Sequence, residues 1–418
     1  MVENAGACAS ICRDDFRPTK TVIRAFSIGC TMRRSVNDPT MRIGLFYPTA
    51  PNVHLASRVV NDLNPDLFDL QLHMRLARAC EEMGLDFLFL AESWGGHGPE
   101  ARRVGFSDPQ LLTPLLAVAL IAATSRIGIV TTIHTSWFHP VVIARIGANL
   151  DALSHGRWGI NIVTGAGEAD TLLSAVTEHS DHDERYAMAA ESLQVMKQLW
   201  RDGECDFDGR YYQVHGRMVG PTAVQQPHPA IFSAGASPAG RKFAATNCYW
   251  LFIPGRMTRE EALERLRGVR EELEAAGQPA SSVRCMRHVS MLVRETEEQA
   301  RRVSEWIKST VDLAAARDYL KAIGGLSSTY ADIYSQRSAD EDSLREFGLT
   351  SGALKIHGSP AQVAERIKDL YDNHECRGLA LTFPLWNIEE IRRFGCLVLP
   401  LLEERGLCIS PHTRGWTW

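Results

Sequence analysis

The segment at residues 126–165, RIGIVTTIHTSWFHPVVIARIGANLDALSHGRWGINIVTG, constrains the fold most, because its apolar period switches from strand-like to helical and back. Ile127, Ile129 and Val130 open a β-branched run that ends in Thr131 and Thr132. Val142, Ile143, Ile146, Leu150 and Leu153 then recur at helical spacing. Pro140 suits the first turn of that helix and Gly156 its end, and residues 158–163 form a second apolar strand stopping at Thr164 and Gly165. The segment is a βαβ unit. In parallel α/β folds the loops at the carboxyl ends of the strands build the site, so Thr132, His134, Asn161, Thr164 and Gly165 are site candidates by position alone.

The same alternation runs along the chain. Strands are predicted at 43–47, 86–91, 230–234, 249–253, 283–293 and 379–383, in addition to the two above. Helices are predicted at 67–82, 185–199, 259–275, 360–371 and 388–402. Repeated βα units argue for a parallel sheet, and a count of eight favours closure, so the fold class is α/β, a (β/α)8 TIM barrel with insertions. Residues 52–65 and 95–108 read as loops, and 306–352 as a polar, partly helical insertion that serves either as a lid or as a plain surface excursion. Residues 1–40 carry five arginines and little periodicity. They read as a disordered extension or an upstream translation start, with a transit peptide as the alternative, and the single folded unit is expected over 41–418.

Composition narrows the partners. With 45% hydrophobic residues the chain has enough apolar material for one large core. A net charge of −5 without a dense Lys/Arg stripe disfavours nucleic acid and anionic membranes, so a small molecule is the expected partner. No apolar run reaches the length of a membrane span. The ten cysteines are scattered; only Cys8 and Cys12 are close, and nothing has zinc-site spacing, so no metal is expected and reduced thiols point to a cytoplasmic location.

Four motifs carry more specific information: ANLDALSHGRWGINIVTG (148–165), HDERY (182–186), DFDGRYYQV (206–214) and QQPHPAIFSAGASPAG (225–240). The SAGAS stretch lies between a strand and a helix, where small residues let the backbone approach a ligand and helix-opening amides suit a phosphate. Taken together the motifs resemble those of the bacterial luciferase-like, flavin-dependent monooxygenases. Within that family they resemble the branch holding pyrimidine oxygenase, dimethyl sulfone monooxygenase and alkanesulfonate monooxygenase, over nearly all of 41–402.

That resemblance implies a two-component enzyme. A separate NAD(P)H-dependent flavin reductase supplies reduced FMN, dioxygen is the co-substrate, and a small organic substrate (a heterocycle, an amide or an organosulfur compound) is oxygenated and cleaved. It implies that Ser237 with the Gly235 and Ala236 amides binds the FMN phosphate, with Arg185 and Tyr186 closing over it or the ribityl chain. It places Asn161 at the isoalloxazine edge, Thr132 with it on the dioxygen-facing N5 side, and Glu92, Ser93 and Asp170 at further flavin contacts. His134 and His139, with Trp137 and Phe138, follow a strand end and are the candidates for substrate chemistry; Trp94 and His97 follow another. Where the alkanesulfonate enzymes show Arg-x-His, this chain has His288 and Ser290, which argues against a sulfonate substrate. A homo-oligomer, dimer or tetramer, is expected. The alternatives left open are a flavin-degrading lyase of the same branch, a hydride-transfer enzyme using the deazaflavin F420, and a flavin-binding barrel without turnover.

Overall fold

The β-branched runs become the parallel strands of one closed sheet, because buried strands flanked by helices on the outside have both faces to fill with apolar side chains. The computed structural model describes residues 38–165, 182–235, 237–255, 257–324 and 340–418. Its strands are β1 (Arg42–Tyr47), β2 (Phe87–Leu90), β3 (Gly128–His134), β4 (Trp158–Val163), β5 (Glu204–Asp208), β6 (Gln213–Arg217), β7 (Ala230–Ser233), β8 (Trp250–Ile253), β9 (Arg284–Val293), β10 (Leu354–Gly358) and β11 (Gly378–Thr382). The order β9-β11-β1-β2-β3-β4-β7-β8 is parallel throughout and closes through β8–β9 pairing, giving the eight-stranded barrel.

Three strands were not legible in the sequence. β5 and β6 form an antiparallel hairpin over the DFDGRYYQV motif, too exposed to carry an apolar run. β10 lies against the upper half of β9: residues 284–287 of β9 pair with β8, and 289–293 pair with β10. Its apolar residues are only Leu354 and Ile356, at the end of the stretch read as an insertion. Pro400 also divides the expected 388–402 helix into Ile388–Leu397 and Leu399–Glu404.

Ring contacts across the barrel define its interior. Phe89 on β2 lies 5.4 Å from Phe46 on β1, but also 5.3 Å from Phe252 on β8 and 5.9 Å from Phe232 on β7, strands on the far side of the ring. At the amino-terminal end of the strands, Trp418 closes the floor edge-on to Phe232 at 5.8 Å. Arg42 ties the same tail down through Thr417, with its Nε donating to the carbonyl at 3.0 Å and Nη2 to the hydroxyl at 2.8 Å.

At the carboxyl end, the excursions expected as separate loops share one small core. Leu55, Val60, Val104 and Phe106 pack with Ile307, Ala316, Leu320 and Phe347. Short helices Arg58–Asn61 and Pro99–Arg103 form within the first two excursions, and Leu313–Gly324 and Glu341–Thr350 within the third. The Asp318 carboxylate accepts the Glu100 N–H at 2.8 Å, joining the second excursion to the third.

Beside β9, the half-buried His357 sits between two hydroxyls, Ser304 Oγ at 2.9 Å from Nδ1 and Ser290 Oγ at 3.3 Å from Nε2. Burial, helped by Lys355 and Arg294, pushes its pKa down to about 3. The folded protein therefore keeps this ring neutral while the unfolded chain protonates it, so its contribution is present above pH 6.5 and is lost as pH falls towards 3. Between pH 7 and pH 5 that loss amounts to ~2 kcal/mol. Urea unfolding at the two pH values is expected to show a drop smaller by that amount in His357→Gln than in the parent; equal drops would contradict a neutral ring.

Candidate active site

The ends of β3 and β4 bring Thr132 and Asn161 into register as direct neighbours. Asn161 Nδ2 donates to Thr132 Oγ1 at 3.1 Å, and the residues are 6% and 2% exposed. Thr113 Oγ1 donates to the Thr132 carbonyl at 2.9 Å, steadying the strand end. Asn161 Oδ1 is buried with no hydrogen-bond partner among the described residues. A buried acceptor left unpaired costs ~1–3 kcal/mol, so this oxygen suits a ligand that brings an N–H to it. The edge of a reduced isoalloxazine carries such groups, and the pair fits a flavin on that ground.

The strand-to-helix loop after β7 has the shape of a cradle. A Cβ on Gly235 would stand 2.8 Å from Gly240 Cα and 2.9 Å from the Tyr186 hydroxyl, so only glycine lets loop, helix and phenol converge there. Ser237 caps the helix Pro238–Asn247, its Oγ accepting the Gly240 N–H at 3.1 Å while its own proton stays available to donate. Tyr186 packs on Phe243 at 5.7 Å. Arg185 lies with Thr135, Ser136 and Thr164 in a small hollow between the β3 and β4 loops. The structure thus gathers Thr132, Asn161, Arg185, Tyr186, Gly235 and Ser237 around the ends of three neighbouring strands. Asp170 and Ala236 lie outside the described residues.

Other expected residues have engagements of their own. Glu92 Oε2 accepts the Thr113 N–H at 2.7 Å, capping the start of Thr113–Ala123 where Leu112 supplies no side-chain cap. Burial pushes the Glu92 carboxyl pKa up, opposed by that N–H. Gln110 Oε1 accepts from both the Ser93 amide and its hydroxyl, at 2.9 and 3.1 Å. Glu92, Ser93, Trp94 and Asp108 line a cleft of about 370 Å³, with Trp94 stacked on Trp137 at 4.6 Å. The buried His134 ring pairs through Nε2 with the Glu92 carbonyl at 3.0 Å, tying β3 to β2. His139 is exposed and caps Pro140–Leu153, its Nδ1 accepting the Val141 N–H at 3.3 Å, with its ring edge-on to Tyr212; it stands apart from the buried Thr132–Asn161 pair.

Three features escaped the sequence. His54 and His288 meet at 4.1 Å between ring centroids, with Phe46 at 4.5 Å and Phe252 at 5.9 Å from the His288 ring, forming an aromatic wall inside the barrel. The carboxylate cap on Thr113–Ala123 joins residues from two βα units. Arg265 is buried beneath the β7 loop, and a signal for it existed: it falls on the apolar stripe Ala262, Leu266, Val269 and Leu273 of the helix Arg259–Ala275.

The fold is a (β/α)8 barrel, a class whose sites lie at the carboxyl ends of the strands. Residues 41–374 match the family described as luciferase-like monooxygenase, and the chain belongs to that family, the one its motifs resemble. An N-acetyl-S-(2-succino)cysteine monooxygenase from Bacillus subtilis (strain 168) is 27% identical, covering 88% of this chain and 93% of its own length. An FMNH2-dependent dimethylsulfone monooxygenase from Pseudomonas putida is 27% identical over 81% of this chain and 89% of its own. Among solved structures, riboflavin lyase RcaE with modified FMN and riboflavin superposes with a TM-score of 0.78 at 26% identity, covering 89% of this chain and 93% of that one. The protein is a flavin-dependent monooxygenase.

Proposed function

We propose that this chain is the oxygenase of a two-component system, taking reduced FMN from a separate NAD(P)H-dependent reductase and oxygenating, with cleavage, a small heterocycle, amide or organosulfur compound. The observation that carries the reading is the buried Thr132–Asn161 pair with one acceptor left over. Bound reduced flavin would supply the electrons that activate dioxygen; the chain's own residues bind, orient and exclude water. Asn161 orients the flavin edge through Oδ1, and Thr132, whose oxygen already accepts from Asn161, keeps its hydroxyl proton to donate towards dioxygen. The loop with Gly235, Ala236 and Ser237 holds the phosphate, Arg185 and Tyr186 close over it or the ribityl chain, and Glu92, Ser93 and Asp170 make further flavin contacts.

The walls around Phe46, His54, Phe252 and His288 offer ring faces and imidazole nitrogens, which suit an uncharged organic substrate better than a sulfonate. The packed cap over the strand ends would keep that space dry. The likeness to riboflavin lyase supports one variant of the same reading, in which the substrate is itself a flavin.

The test is oxygen uptake and product formation with reductase, NAD(P)H and FMN across heterocycle, amide and organosulfur panels. Substrate-stimulated uptake with product formation is expected; turnover with F420 alone, without dioxygen, would overturn the reading. The phosphate assignment makes its own prediction. Ser237→Asp should weaken reduced-FMN binding about tenfold or more through like-charge repulsion, measured by anaerobic titration, and unchanged affinity would remove Ser237 from the site.

A further inference from the structure

Arg265 stands directly behind the β7 loop and is 4% exposed. Its Nε donates to the Gly235 carbonyl at 3.0 Å, its Nη2 to the Ala234 carbonyl, and its Nη1 contacts Met257 Sδ at 3.4 Å. Successive carbonyls of an extended chain point to opposite sides, so one planar guanidinium reaching both holds the loop in a turned conformation. The Ala234–Gly235 peptide is not among the cis bonds, and in a trans peptide the N–H points away from the carbonyl. Pulling the Ala234 carbonyl towards Arg265 therefore throws the Gly235 N–H to the opposite side, where it meets Ser233 Oγ at 3.3 Å. The loop thus turns the Ala234 and Gly235 carbonyls to the guanidinium and the Gly235 N–H to the other side.

We propose that Arg265 is the positioning residue of the flavin phosphate site: by fixing both carbonyls it holds the turn that leads into Ser237, whose hydroxyl proton is available to the phosphate, with a permanent positive charge behind the loop. The proposal rests on the reading of this loop as the phosphate site. Lysine keeps the charge but replaces the planar fork with a compact ammonium, methionine keeps the bulk alone, and glutamine can donate to one carbonyl.

The experiment is anaerobic titration of the full chain with reduced FMN and with reduced riboflavin, which lacks the phosphate, followed by tryptophan fluorescence. The parent is expected to prefer FMN at least about tenfold, reflecting charge-assisted hydrogen bonds to the phosphate. Arg265→Met should lose most of that preference while riboflavin affinity and circular dichroism stay as in the parent, and Arg265→Lys and Arg265→Gln, which can each donate to one carbonyl, should keep part of it. A general structural lesion would weaken both flavins together and would overturn the proposal. So would variants that keep the parent's preference, leaving the phosphate site itself standing. A parent that binds both flavins equally would overturn the phosphate reading and this proposal with it.

Discussion

Asn161→Ala is expected to lower kcat/KM by ~10²- to 10³-fold, the range seen when one preorganised hydrogen-bonding group is removed from a reacting centre. The same substitution should change unfolding free energy by less than about 1–2 kcal/mol. The asymmetry follows from the geometry. Asn161 gives the fold one side-chain hydrogen bond, to Thr132 Oγ1, and burdens it with a buried oxygen that has no partner among the described residues. Deleting the amide loses the first and relieves the second, so the two effects on stability offset each other. Steady-state kinetics beside a urea melt would check this. An Asn161→Ala enzyme with near-parental turnover, or one that loses activity only in proportion to its folded fraction, would remove Asn161 from the chemistry.

Trp418→Ala carries the largest expected cost in stability, ~3–5 kcal/mol, because a buried aromatic leaves both lost transfer energy and a cavity. Its ring fills the barrel floor against Phe232, close enough to β4 that a Cβ on Gly159 would lie 3.3 Å from it. Its Nε1 donates to Gln225 Oε1 at 2.7 Å, while Gln225 Nε2 donates to Asp151 Oδ1 and to the Trp158 carbonyl, both at 2.6 Å. Removing the indole therefore opens a hole and unpairs an oxygen in a buried polar network. Trp418→Phe should refill most of the hole and cost only the unpaired oxygen, ~1–3 kcal/mol. The floor lies at the opposite end of the strands from Asn161, so KM for reduced FMN in the folded fraction should be unaffected. A Trp418→Ala protein within about 1 kcal/mol of the parent would show that the floor is not packed by this ring.

What was legible in the sequence was local. The β3–helix–β4 unit could be read because Ile127 to Val130, the stripe from Val142 to Leu153, and residues 158–163 each keep one period over their whole length. The helix Arg259–Ala275 was bounded correctly for the same reason, with Thr258 and Glu261 forming its capping box. The hairpin β5–β6 and the strand β10 were hidden because hydrogen bonding to neighbours, not apolar periodicity, makes them strands. Thr132 and Asn161 were candidates from their place at strand ends, and the structure shows them as register neighbours joined by a hydrogen bond; the roles proposed for them come from the family resemblance. The contact of His54 with His288 could not be read, since those residues meet only when β9 and the loop after β1 are brought together across β11. Glu92 shows the converse: its position beside a strand end was correct, but the Thr113 amide that holds its carboxylate belongs to another element.

The central claim, that this barrel binds reduced FMN and brings dioxygen to it, is tested most directly by one experiment. Reduced FMN is titrated anaerobically into the purified full chain, and the complex is then mixed with aerated buffer while absorbance is recorded. Tight, saturable binding is expected, followed by a spectral course distinct from the oxidation of free reduced FMN and altered by substrate. A protein that leaves reduced FMN free, or binds it without changing its course with oxygen, would contradict the account; tight binding of F420 in its place would assign the barrel to hydride transfer.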